Sequence, residues 1–503
     1  MPTAVSNSVF QPTPSVTQRI EVNAARNAPA DATAIGIAVA IDGPVPRALG
    51  VDRAALAAAG FEGKVGQALV LPASGGTTTI AVGIGSAAAL DASALRDAAA
   101  AFARAAVRHA RIATALAQAA PIKPELAAQA VVEGALLARY RYEVLKTGTP
   151  EKPLQSLTLL AGADQLDATA QGAARGQALA EAGRLARDLA NAPPAHLTAA
   201  KIADLAAALA AERGLEVEIY DKDALLALGC GGLLGVNAGS TEPPRMVKLT
   251  YTPKGGKPRG HLALVGKGIM YDSGGINIKP RDAMHAVMKM DMSGAGAVLA
   301  AMLALPALGC RTKVTGYLMC TDNMPSGSAT KMGDVLTQRG GKTVEINNTD
   351  AEGRLALADG LVLACELKPD AVVNIGTLTG ACLMALGDQI AGAFTNHDGL
   401  LAQVKSAAAR TDESVWQLPL DKRYRKQLDS VVADMKNMGD VAPGAITAAL
   451  YLSEFAGQTP WTHIDICGPM KVDADEAWRS RGATGFGARL LADLAVNFAP
   501  LKA

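Results

Sequence analysis

From Val247 onward the chain alternates short apolar runs with longer helix-like stretches, and this alternation constrains its fold more than any other feature. Strands are predicted over 261–265, 313–320, 371–375 and 461–466, with helices over 294–305 and 355–367 between them. Runs this short and apolar belong in a sheet covered on both faces. In such sheets the chemistry gathers at the strand ends. A chain of 503 residues also exceeds one ordinary core, so two or more domains are expected.

The amino-terminal part predicts a smaller α/β domain. Strands are expected over 34–40, 79–82 and 157–161, an alanine-rich helical stretch over 88–120, and a helix over 126–142. A long helix over 171–189 stops at Asn191-Ala192-Pro193-Pro194, because successive prolines cannot continue it. Thr198 then caps a helix over 199–213. With a break at 146–152, the boundary is set near residue 165. The expected organisation is an α/β chain: a domain over 1–165 serving assembly or regulation, a linking long helix, and a catalytic domain over 166–503. The larger domain should hold a mixed central sheet with helices on both faces.

Composition excludes several classes. Half the residues are hydrophobic and the formal net charge is +1, so nothing favours nucleic acid or a charged membrane surface. The six cysteines form no CxxC pair, which points to a reducing, cytoplasmic setting without disulfides. Met1–Thr17 is Ser/Thr/Pro-rich and lacks the layout of a secretory signal. No apolar stretch reads as continuous enough to cross a membrane.

Three polar clusters fall just past predicted strand ends. Asn348-Thr349-Asp350-Ala351-Glu352-Gly353-Arg354-Leu355 puts two carboxylates and an arginine at a strand-to-helix junction. Gly266–Lys279 sets Lys267, Asp272 and Lys279 among glycines that admit close backbone approach. Met288–Gly294 places Asp291 before a small-residue helix. Each alone is ambiguous, since an acid at a helix start is commonly only a cap. Together, Asp272, Asp291, Asp350 and Glu352 offer hard oxygen ligands for two divalent cations, which suit magnesium, manganese or zinc. No HExxH occurs, so histidine ligation is not indicated. Lys279 and Arg354 would serve as electrophile and anion holder.

These residues resemble the cytosolic leucyl aminopeptidase family, the dimetal aminopeptidases that include bacterial aminopeptidase A. NTDAEGRL at Asn348–Leu355 matches that family's signature, and GKGIMYDSGGINIK at Gly266–Lys279 is close to its second hallmark. Further matches are Asn191–Pro194, Glu242–Arg245, Gly376–Ala381 and Gly444–Leu450, and the resemblance is strong over residues 165–497. It implies a tighter metal site on Lys267, Asp272, Asp291 and Glu352, and a more exchangeable one on Asp272, Asp350 and Glu352. Manganese or zinc is implied, with magnesium or cobalt as alternatives. A neutral Lys267 is implied too, its pKa lowered by burial and nearby cations. Lys279 would polarise the scissile carbonyl and Arg354 would hold a bicarbonate acting as general base. Met288, Asn348, Thr377 and Met470 would line the first side-chain pocket, and the Leu378 and Gly380 backbones would bind the peptide. A homohexamer is implied.

The segment between Lys279 and Asp291 is one residue longer than the family pattern, which makes Asp282 a rival to Asp291. Tyr271 and Met270 stand where phenylalanine and threonine are common, and Cys467 where a small residue is usual. Two readings from other classes compete. A DNA-binding regulatory protein is motivated by Arg96, Arg104, Arg108 and Arg111 along one expected helix, which otherwise form a solvated face. A nucleotide-binding enzyme rests on Gly83-Ile84-Gly85-Ser86 alone.

Overall fold

The structure is a computed structural model that describes residues 11–72, 76–119, 121–148 and 152–501. Part of the expected amino-terminal segment and of the break at 146–152 therefore lies outside the described residues. The chain divides into two compact units. One comprises Pro14–Arg184 with the later segment Val472–Gly482, and the other is built from Leu185–Lys471 and Ala483–Ala503. The division falls inside the long helix Leu166–Asn191.

The first unit is a six-stranded sheet in the order Glu21–Ala25, Ser156–Leu160, Arg111–Thr114, Ala34–Val39, Thr78–Gly83, Ala68–Val70. Every neighbouring pair is parallel except the last. Helices Ala92–Ala105 and Pro124–Ala138 supply buried Leu95, Phe102, Val131 and Leu136 to its core, where Trp478 of the later segment also packs.

The expected helical stretch over 88–120 is corrected here. The helix ends at Ala105, and Arg111–Thr114 pairs as a strand between two others. Alanine is silent to hydrophobic periodicity, so the run conceals the strand inside it. The arginines consequently form no single-helix stripe, and of the four Arg108 and Arg111 are the exposed ones. Arg96 is buried against Glu133 at 3.0 Å, Arg104 donates to the carbonyls of Ala477 and Arg479, and Arg111 pairs with Asp31. The DNA-binding reading loses its motivation. Gly83 of the Gly83–Ser86 segment ends a strand, and a Cβ there would sit 2.0 Å from the Lys64 carbonyl oxygen, so close packing accounts for that glycine without a phosphate.

The second unit carries a mixed eight-stranded sheet. Its order is Val415–Gln417, Ala391–Thr395, Trp461–Asp465, Ala371–Gly376, His261–Asp272, Lys313–Asn323, Arg245–Tyr251, Glu216–Tyr220. The four central strands from Trp461–Asp465 to Lys313–Asn323 are parallel. Side-chain alternation shows helices on both faces. A Cβ on Gly266 would meet Ala295 of helix Ser293–Ala304, whereas Val265 faces Gly360 of helix Gly353–Glu366. The strand expected over 261–265 runs on to Asp272, because its glycines admit a helix instead of making a loop.

Helix Ala199–Arg213 forms as predicted, capped by Thr198 and closed by Gly214 with φ 71°. All six cysteines are free. His285–Ala304 does reach the length and hydropathy of a membrane span, contrary to expectation, but 78% of its most apolar window is buried in the protein. It is a core helix.

Candidate active site

The carboxyl ends of the central strands bring the three clusters together. Lys267 projects from the long strand and is 3% exposed. Its Nζ lies 2.8 Å from Asp291 Oδ1 and 2.8 Å from Glu352 Oε1, and donates to the Thr377 carbonyl at 2.7 Å. Those contacts satisfy all three donors of an ammonium group. A Cβ at residue 353 would lie 2.6 Å from Nζ, so any residue but glycine at this helix start would push the Lys267 side chain out of its place. Asp272 closes the same strand, with Oδ2 2.8 Å from Lys279 Nζ. Lys279 also reaches Asp350 Oδ1 at 2.6 Å. Asp272, Asp350 and Glu352 present ligand atoms within 4.8 Å of one another.

Asp291 is buried within this cluster, and Thr377 Oγ1 donates to its Oδ1 at 2.5 Å. Asp282 lies elsewhere: it is exposed and accepts from the His285 N–H at 2.9 Å as a turn cap. Met288 and Met470 are buried, while Gly380 is exposed with open space beside it. The Leu378 N–H donates to Asp465 at 3.1 Å, so that donor is already engaged. Asn348 bends the acidic turn by accepting from the Asp350 N–H at 2.8 Å. Arg354 is 5% exposed, donates from Nη1 to the Asn437 carbonyl at 2.7 Å, and has a buried Nε without a hydrogen bond.

The electrostatics are those of anions crowded together away from water. Burial, with the charges of Glu352 and Asp272, pushes Asp350 up to about 7. Burial also raises Asp291 well above the ordinary carboxylate range, against the pull of Lys267. For Lys267, burial acts downward, as expected from the sequence, but Asp291, Glu352 and Asp272 outweigh it and the pKa is raised. The protein's own charges thus favour the ammonium form, and a neutral Lys267 needs added cations. The cluster fits such cations. Asp291 Oδ2 and Glu352 Oε2 are buried and accept no hydrogen bond from the described residues, a costly arrangement for a carboxylate oxygen unless a cation meets it.

Several supporting residues carried no sequence signal of their own. Asn323 Nδ2 donates to Asp272 Oδ1 at 2.8 Å and to the Thr349 carbonyl at 3.0 Å, tying two of the clusters together. Asn437 accepts from the Asn347 N–H and donates to the Asn348 carbonyl at 2.7 Å, holding the acidic turn from outside. Asn277 and Thr349 exchange hydrogen bonds at 2.8 Å in each direction. Only the last pair lies inside the motifs. Asn323→Ala is expected to weaken manganese binding by about 10–100-fold, as loss of a ligand-orienting partner does. Metal titration of the folded variant checks this, and wild-type affinity would remove Asn323 from the supporting set.

Two family models match the chain: the cytosol aminopeptidase family catalytic domain over residues 184–492 and its N-terminal domain over residues 50–149. A probable cytosol aminopeptidase of Streptomyces avermitilis is 42% identical over 496 residues, covering 93% of this chain and 95% of its own. One from Chlorobaculum tepidum is 45% identical over 383 residues, 74% of this chain and 75% of its own. Among solved structures, the bottromycin maturation enzyme BotP in complex with Mn superposes with TM-score 0.85 at 38% identity, covering 92% of this chain and 99% of that one. A tomato leucine aminopeptidase variant gives TM-score 0.84 at 30% identity, with 95% and 96% covered. The chain belongs to the cytosol aminopeptidase family.

Proposed function

We propose that this protein is a metal-dependent aminopeptidase of leucyl type that releases apolar amino-terminal residues from peptides. The observation that carries the proposal is the convergence of Lys267, Asp272, Asp291, Asp350 and Glu352 around buried carboxylate oxygens with no protein donor. Lys267, Asp272, Asp291 and Glu352 would hold one divalent ion, and Asp272, Asp350 and Glu352 a more exchangeable one. Manganese or zinc is preferred, with magnesium or cobalt as alternatives; the Mn complex of BotP supports the first choice. When bound, such ions supply Lewis-acid activation of water and carbonyl.

The chain's own groups have separate tasks. Lys279, 17% exposed between Asp272 and Asp350, would hold the negative charge that develops on the scissile carbonyl oxygen. Arg354 is anchored through Nη1 and keeps a buried, unsatisfied Nε, which suits it to a small anion such as bicarbonate. Met288 and Met470, with Asn348 and Thr377, would receive the first side chain. Leu378 and Gly380 would align the peptide backbone, Leu378 through its carbonyl because Asp465 occupies its N–H.

Release of leucine from a leucyl dipeptide should stop after exhaustive chelation and return on adding Mn2+. Turnover indifferent to chelation would overturn the reading. A homohexamer is the proposed assembly, supported by exposed apolar Met384, Val431 and Val441, with the 1–165 domain contributing to assembly or regulation. A cytoplasmic setting is supported by the free thiols and by the relatives' names.

A further inference from the structure

The strand ends that build the cluster have a second face. Residues Asp272 and Asn323 are register partners on adjacent strands and turn toward the carboxylates. The pairing register shifts just before these partners, and the neighbouring Tyr271 and Asp322 line a separate cavity of about 560 Å3. That volume lies in the range of small-molecule sites.

The chemistry of this cavity is one-sided. Its walls carry the carboxylates of Asp322 and Glu242, the hydroxyls of Ser240 and Thr241, and apolar Pro194 and Ala195, with no lysine, arginine or histidine. Asp322 is held in place, accepting from Ser240 Oγ at 3.2 Å. Glu242 is fixed through its backbone, since its N–H donates to Ser240 Oγ and its carbonyl accepts from Asn237 Nδ2. Burial, with the charge of Glu242, raises Asp322 to about 6, so a cation here relieves an existing electrostatic cost.

We propose that this cavity is a second ligand site, separate from the metal-binding cluster, that takes a small organic diamine with its ammonium groups on Asp322 and Glu242. Apolar walls accommodate the connecting methylenes, and the hydroxyls take up the remaining N–H donors.

The test is calorimetric titration of the full-length, manganese-loaded protein with 1,4-diaminobutane. Saturable one-site binding is expected, weakened at least tenfold in Asp322→Asn. Because that side chain is partly buried, Ala195→Trp serves as a second variant. Ala195 is exposed, so the indole narrows the cavity without disturbing the core, and the same loss of binding is expected with leucyl peptidase activity retained. Glu352→Gln should keep diamine binding, which separates this site from amine ligation at the metals and from the proposed activity. Absence of saturable binding, wild-type binding in both cavity variants, or binding lost in Glu352→Gln would each overturn the proposal.

Discussion

Replacing Glu352 with glutamine is expected to empty both metal positions and to lower kcat/KM on leucyl peptides by about a thousandfold, whereas Asp350→Asn should leave one metal equivalent bound. The difference follows from where the two carboxylates stand. Glu352 is 2% exposed, and its Oε1 sits on Lys267, within the Lys267–Asp291 group. It also comes within 4.8 Å of Asp272 and Asp350, so it belongs to both halves of the cluster. Asp350 has a side chain 33% exposed and contacts Lys279, on the solvent side. Glutamine preserves volume but replaces a proposed charged ligand with a neutral amide, so the two proposed cations would lose a shared counter-charge. Metal content after gel filtration, measured with dipeptide turnover, checks the claim. Equal metal loss in the two variants would contradict the asymmetry.

Lys267→Met is expected to destabilise the metal-free protein by about 3–5 kcal/mol, the usual cost of removing one member of a buried ion pair. Lys267 is buried, and its contacts at 2.8 Å offset part of the negative charge shared by Asp291 and Glu352. Methionine fills similar space but leaves both carboxylates in a dry site, where Asp291 is already hard to ionise. In thermal unfolding with chelator present, the larger unit's transition should fall by roughly 5 °C or more. Added manganese should recover part of that loss, because a cation restores the missing charge. An unchanged transition would mean that Lys267 does not carry the charge balance of the cluster.

How much of this was legible in the sequence depended on the residue type. Helix Ala199–Arg213 was readable to the residue because Thr198 and Gly214 are chemically distinct stop signals. The central strands were readable because their apolar runs are interrupted by polar breaks. The last turn of the long strand was not, because Gly266 and Gly268 look like loop residues. Their purpose is tertiary: a Cβ on Gly266 would come within 2.6 Å of Ala295 Cα. The strand Arg111–Thr114 was hidden for a related reason, since a partner strand on each side, and no local pattern, makes it extended. At the candidate site, the charged groups announced themselves through the motifs. Asn323 and Asn437 did not, because an asparagine that orients a carboxylate is distinguished only by what stands opposite it.

The segment Val472–Gly482 bears on how the protein is made. Trp478 enters the core of the unit that begins at Pro14, Ser480 Oγ donates to the Leu137 carbonyl at 3.1 Å, and Asp475 pairs with Arg141 at 2.9 Å. Domains ordinarily fold as they leave the ribosome, amino-terminal first. Here the unit built on Pro14–Arg184 lacks an indole-sized piece of its interior until the segment after Lys471 has been translated. Its nascent form must wait, incomplete and with apolar surface uncovered, while Leu185–Lys471 of the other unit is translated.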